Sequence, residues 1–144
     1  MGQIVVGYDG SNCGKAALVE AVELAKSLGD KVVLVFGYAP PGIWGGEIAE
    51  HEEAIEEFGE KVMSEGRRQA EAGGVETEVA LVPKRGPEAL IDVAKERGAR
   101  LIVVGGQGEA PLKGAILGST PYRLLHQTER PVLVVPASRL GGIG

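Results

Sequence analysis

Apolar residues in this chain fall into five short β-branched runs, separated by longer stretches in which they recur every three or four positions. The runs cover residues 4–6, 32–36, 75–82, 101–104 and 132–135. Four are nearly continuous, the pattern of strands buried on both faces of a parallel sheet. The third alternates Val75, Thr77, Val79 and Leu81 with Glu76 and Glu78, which predicts a strand nearer a sheet edge.

Helical periodicity fills the gaps. Over residues 16–25, Ala17, Leu18, Ala21, Val22, Leu24 and Ala25 form one apolar stripe, and Gly29 supplies a left-handed stop. Residues 47–72 repeat Ile48, Ile55, Phe58, Val62 and Met63 on a charged background and end at Gly73 and Gly74. A third helix starts at Pro87, a favourable first-turn residue, and ends before Gly98. The fourth should run from Ser119-Thr120-Pro121 to about Gln127. Strict strand–helix alternation predicts an α/β fold: one open, doubly wound, five-stranded parallel sheet with helices on both faces. A single domain spans 1–144, with its core at 3–136, a mobile loop at 40–46 and a loose tail at 137–144.

Composition changes this picture in three places. Glycine contributes 23 of 144 residues, about twice the usual ~7%, without a collagen period. One cysteine excludes a disulfide scaffold and a structural zinc site. The net charge of −5 is local: residues 47–60 hold seven acids and no base, while the remainder holds 13 acids and 15 bases. No basic footprint for general nucleic-acid binding is present. The apolar runs are too short to span a membrane, and Met1-Gly2-Gln3 leads straight into the first strand without a basic leader. The expectation is a cytoplasmic protein.

In open α/β sheets ligands bind beyond the carboxyl ends of the strands, where the strand order reverses. Two loops in that position are unusual. One follows the first strand, Gly7-Tyr8-Asp9-Gly10-Ser11-Asn12-Cys13-Gly14. The other follows the fourth, with Gly105, Gly106 and Gly108, then Gly118-Ser119-Thr120 nine residues later. Glycines let the backbone approach an anion, and a helix start offers free N–H groups, so this second loop has the parts of a phosphate cradle. It also has the parts of an ordinary turn with a hydroxyl cap. Asp9 can accept from ribose hydroxyls or an adenine amino group, or it can close an Asx turn; spacing alone leans to the turn.

Other chemistries drop out. Residues 10–16 sit where a Walker A loop belongs, but the loop is one residue short and Ala16 replaces its metal-binding hydroxyl. Lys15 then reads as a solvated helix residue. His51 lacks the second histidine of a zinc-protease helix, and His126 falls near a helix end that favours a cation. Cys13 has no base partner and reads as a small helix-start residue. No catalytic constellation emerges.

The chain resembles the universal stress protein family from about residue 3 to 136. The resemblance rests on residues 4–11 (IVVGYDGS), residues 101–105 (LIVVG), the spacing Gly105-x2-Gly108-x9-Gly118-Ser119, and residues 130–136 (RPVLVVP). That glycine spacing marks the family's ATP-binding branch. The resemblance implies strand order 3-2-1-4-5, which puts the reversal between strands one and four. It further implies that Gly7, Tyr8 and Asp9 hold adenine and ribose, with the backbone at Phe36-Gly37 bordering the base. Gly105, Gly108, Gly118, Ser119 and Thr120 would hold phosphates, with magnesium or manganese on them.

By the same resemblance the ligand is ATP, AMP or ADP, and the chain forms a homodimer through Val132–Val135. The implied role is nucleotide-dependent regulation in stress response, through conformation or an unidentified protein partner, rather than dedicated turnover. The alternatives are a non-nucleotide interaction module, with the acidic 47–60 segment as partner surface, and a slow adenine-nucleotide hydrolase. Two departures from the family pattern bear on the triphosphate. Glu109 stands where many ATP-binding members have a base, and Gly106 replaces a small hydroxyl residue. Lys113 and Arg123 are candidate replacements for the lost positive charge, or plain surface residues.

Overall fold

A computed structural model describes residues 2–38, 47–106 and 119–137. Its elements alternate as expected: β1 (Gln3–Gly7), α1 (Asn12–Leu28), β2 (Lys31–Gly37), α2 (Glu47–Ala72), β3 (Thr77–Val82), α3 (Gly86–Arg97), β4 (Leu101–Gly105), α4 (Ser119–Gln127) and β5 (Val132–Val135). The five strands form one parallel sheet of order β3-β2-β1-β4-β5. The loop at 40–46 and the tail beyond residue 137 lie outside the described residues.

Alternating strand residues feed two cores, one on each face. Ile4, Val6, Leu34 and Val103 pack under α1 and α2, against Ala17, Leu18, Ala21 and Met63. Val5, Val33, Val35, Ile102 and Val104 pack under α3 and α4, against Ala89, Leu90, Val93 and Leu124. β1 is the central strand, with Val5 registered beside Val33 on one side and Ile102 on the other. Its carboxyl end is therefore where the chain's direction of travel across the sheet reverses.

The helix ends follow the local chemistry. Ser11 caps α1, its side chain accepting from Gly14 N–H. Gly29 and Gly98 take left-handed conformations at the ends of α1 and α3, as expected for stop glycines. Pro87 occupies the first turn of α3.

Three expectations need correction. α1 starts at Asn12, so Asn12 and Gly14, read as part of the loop after β1, are helical, while Cys13 and Lys15 are helical as read. The Ser11 hydroxyl supplies the cap that lets the helix begin four residues early. β3 starts at Thr77, which leaves Val75 outside the strand although it is buried. β5 is an edge strand, with Val132, Leu133 and Val134 only partly buried, so its continuous apolar run does not mean burial on both faces. The alternating third run does form the opposite edge.

Candidate functional site

The reversal between β1 and β4 sets the loop after β1 beside Gly105, where the other unusual loop begins. β1 ends at Gly7, and Asp9 follows just before the α1 N-terminus. Asp9 is exposed, but its carboxylate is held. Oδ1 accepts from Ser11 N–H at 2.9 Å and from the Ser11 hydroxyl at 2.5 Å. The turn role expected from spacing is thus present. It uses one oxygen only: among the described residues, Oδ2 accepts no hydrogen bond. A carboxylate fixed through one oxygen keeps the lone pairs of the other for a ligand donor.

β4 ends at Gly105, beside that turn. A Cβ there would overlap the Cβ of Cys13 and stand 2.7 Å and 2.8 Å from its carbonyl carbon and oxygen. Glycine at 105 is therefore required for α1 to seat against β4, whatever binds nearby. Gly37 has a similar reason: a Cβ would come within 2.7 Å of the Lys84 carbonyl oxygen and 2.9 Å of the Gly86 backbone. Close helix–sheet packing accounts for part of the glycine pattern that sequence reading assigned to phosphate.

Tyr8 and Phe36, both expected near adenine, send their side chains into the core. Tyr8 is 3% exposed and belongs to the cluster under α1 and α2. Its ring sits 2.8 Å from where a Cβ on Gly66 of α2 would lie, so a glycine lets that helix settle on it. Burial, helped by the Glu65 and Asp9 carboxylates, pushes its hydroxyl above the ordinary tyrosine value, so the phenol stays neutral near pH 7. Phe36 packs edge-on against Phe58 of α2, with ring centroids 6.2 Å apart. At these two positions the side chains face α2 and leave only backbone for a ligand at the strand ends. The Tyr8 backbone is already engaged in part, its N–H donating to Val35 O.

Gly108, Glu109, Lys113 and Gly118 lie outside the described residues. Ser119 and Thr120 open α4 as expected. Arg123, a candidate phosphate partner, instead pairs with Glu88 of α3, Nη1 to Oε1 at 3.2 Å. Glu88 Oε2 is buried without a partner among the described residues, so that pair is only half satisfied. No cluster of three metal-ligating side chains occurs among the described residues. Among the described residues, the end of the sheet at the β1–β4 reversal thus carries one carboxylate acceptor, at Asp9. Of the residues expected to hold phosphate, Gly105, Ser119 and Thr120 are described, and Gly108 and Gly118 are not.

Sequence reading missed the opposite end of the sheet. There a groove of about 550 Å³ is lined by Gly2, Gly98, Ala99, Arg100, Glu129, Arg130 and Pro131. Asp30, its side chain 1% exposed, accepts from Arg100 at 2.5 Å and 3.1 Å and from Gly2 N–H at 2.9 Å. Those hydrogen bonds hold its carboxyl below the ordinary value, the Arg100 bond most strongly. Arg130 donates to Ala99 O at 3.0 Å. Both guanidinium groups tie loops together, across 70 and 31 residues of sequence. Such long-range pairs leave no local pattern to read.

Comparison with known proteins decides the family. The model of the universal stress protein family matches residues 1–136. The chain belongs to the universal stress protein family. A universal stress protein of Thermus aquaticus is 32% identical, over 92% of this chain and 96% of that one. Among solved structures, a universal stress protein in complex with cAMP is 27% identical, with a TM-score of 0.72 over 94% of this chain and 97% of that one. The universal stress protein of Archaeoglobus fulgidus in complex with dAMP is 25% identical, with a TM-score of 0.72 over 94% and 98% of the two chains. Family membership also accounts for the sheet order that places Asp9 and Gly105 side by side.

Proposed function

We propose that this universal stress protein binds an adenine nucleotide in the β1–β4 crevice and acts as a nucleotide-dependent regulator in stress response. The observation that carries the reading is the Asp9 carboxylate, anchored through Oδ1 by Ser11 with Oδ2 left over at the sheet's reversal point. Relatives solved with cAMP and dAMP support the ligand class. In this reading Gly7, Asp9 and the backbone at Tyr8 and Phe36-Gly37 take the nucleoside. Gly105, Gly108, Gly118, Ser119 and Thr120 take the phosphates of ATP, ADP or AMP, with magnesium or manganese bound to them when present. The ion would shield phosphate charge from Glu109. The chain's own contribution in this reading is binding and orientation. The output is a change in conformation or partner binding.

A homodimer through Val132–Val135 belongs to the same proposal. What supports it is a free edge whose Val132, Leu133 and Val134 side chains are half-buried. A cytoplasmic location fits a described chain with no helix long and apolar enough to cross a membrane. Calorimetry with ATP, ADP and AMP, each with and without magnesium, tests the ligand. Saturable binding of at least one nucleotide is expected, and absence of heat at millimolar nucleotide refutes the proposal.

A further inference from the structure

We infer that Gly14 and Ser11 are positioning residues for Asp9, which together decide which carboxylate oxygen is left for the ligand. The inference rests on the nucleotide reading above and concerns residues that do not themselves reach the ligand. A relay of hydrogen bonds runs through the first turn of α1. Gly14 N–H donates to Ser11 Oγ at 3.1 Å, and the Ser11 hydroxyl donates to Asp9 Oδ1 at 2.5 Å. The direction is set by chemistry: an ionised carboxylate has no proton to give, so the hydroxyl proton lies toward Asp9 and its lone pairs face Gly14. Ser11 N–H adds a second donor to the same Oδ1 at 2.9 Å. Two donors occupy Oδ1, and Oδ2 is the oxygen that remains.

Gly14 contributes space as well as a donor. It is buried within α1, where alanine is the better helix former, and its own conformation is not left-handed. A Cβ at this position would stand 2.9 Å from Asp9 Oδ1, 3.3 Å from Asp9 N and 3.4 Å from Ser11 Oγ. The closest of these is the far end of an exposed side chain, which can move aside by giving up its hydrogen bonds from Ser11. The methyl group would therefore leave the fold intact and displace the carboxylate. Gly14 is the room in which Asp9 Oδ1 sits.

The full chain carrying Gly14→Ala tests this, with AMP titrations followed by NMR and thermal melts on the same samples. The melting temperature is expected to stay close to that of wild type, the helix gain of alanine offsetting the lost Ser11 bonds, while AMP affinity falls about tenfold through a weakened charge-assisted hydrogen bond. In an Asp9→Ala background the same change should alter affinity less than about twofold, because its target is gone. Ser11→Thr, which keeps the hydroxyl, should retain the affinity that Ser11→Ala loses. Equal AMP affinity in wild type and Gly14→Ala overturns the inference. So does an undiminished loss in the Asp9→Ala background, or a Gly14→Ala chain that does not fold. Failure of the wild type to bind AMP refutes the nucleotide reading itself, and this role with it.

Discussion

Replacing Gly105 by alanine adds one methyl group where the first turn of α1 meets the end of β4. The added carbon would overlap Cys13 Cβ and lie 2.7 Å and 2.8 Å from the Cys13 carbonyl carbon and oxygen. Two of those three contacts are to helix backbone, so no side-chain rotation relieves them. Either α1 lifts from the sheet, unpacking Ala16, Ala17 and Leu18, or β4 shifts against β1. Overpacking of this kind costs typically 1–3 kcal/mol, and a backbone clash belongs at about 3 kcal/mol. A chain of 144 residues has an unfolding entropy near 0.3 kcal/mol/K, so the expected fall in Tm is about 10 °C. Gly29→Ala is the comparison, since nothing lies within 4 Å of its Cβ position and only a left-handed φ of 72° opposes it. That strain is about 1 kcal/mol, or about 3 °C. Circular-dichroism melts of both variants measure the difference. A Gly105→Ala protein that melts with wild type, or above Gly29→Ala, refutes the packing role and returns Gly105 to a purely ligand-facing one.

Two further outcomes follow from the geometry. Asp30→Asn should lower stability by about 1–3 kcal/mol at neutral pH, with the Arg100 share reduced by that side chain's exposure. Because Asp30's folded carboxyl lies below its ordinary value, its contribution is full above that value and lost as pH falls through the folded one. Urea titrations should show the gap to wild type closing in acid; a gap independent of pH contradicts the pairing. At the other edge, the proposed homodimer predicts that wild type sediments above the 15.0 kDa monomer and that Val132→Lys shifts it toward that mass. An unchanged sedimentation profile places any self-association elsewhere.

What could be read from sequence was whatever short-range pattern encodes. Continuous or alternating apolar runs located the five described strands, and 3.6-residue spacing together with start and stop residues located the four described helices; Gly29, Gly98 and Pro87 marked helix ends because each acts through its own backbone. Burial on both faces was misread at β5, since an apolar run looks the same whether its neighbour is another strand or an edge. The first turn of α1 lies ahead of the apolar stripe because Ser11 starts the helix through a hydrogen bond to Gly14, which periodicity does not register. At the site, the position of Asp9 was legible and its two-oxygen asymmetry was not. Tyr8 and Phe36 could not be placed on the core face without knowing that α2 covers them. The Asp30–Arg100 pair, 70 residues apart, has no sequence signature at all.

The central claim is that an adenine nucleotide sits at the β1–β4 reversal. Backbone NMR shifts recorded while AMP is titrated into the wild-type chain report both binding and place. The account predicts saturable changes concentrated at Gly7, Asp9, Gly10, Gly37, Gly105 and Gly106. Unchanged spectra at millimolar AMP, or changes confined to Gly2, Ala99 and Arg100 at the other end of the sheet, would contradict it.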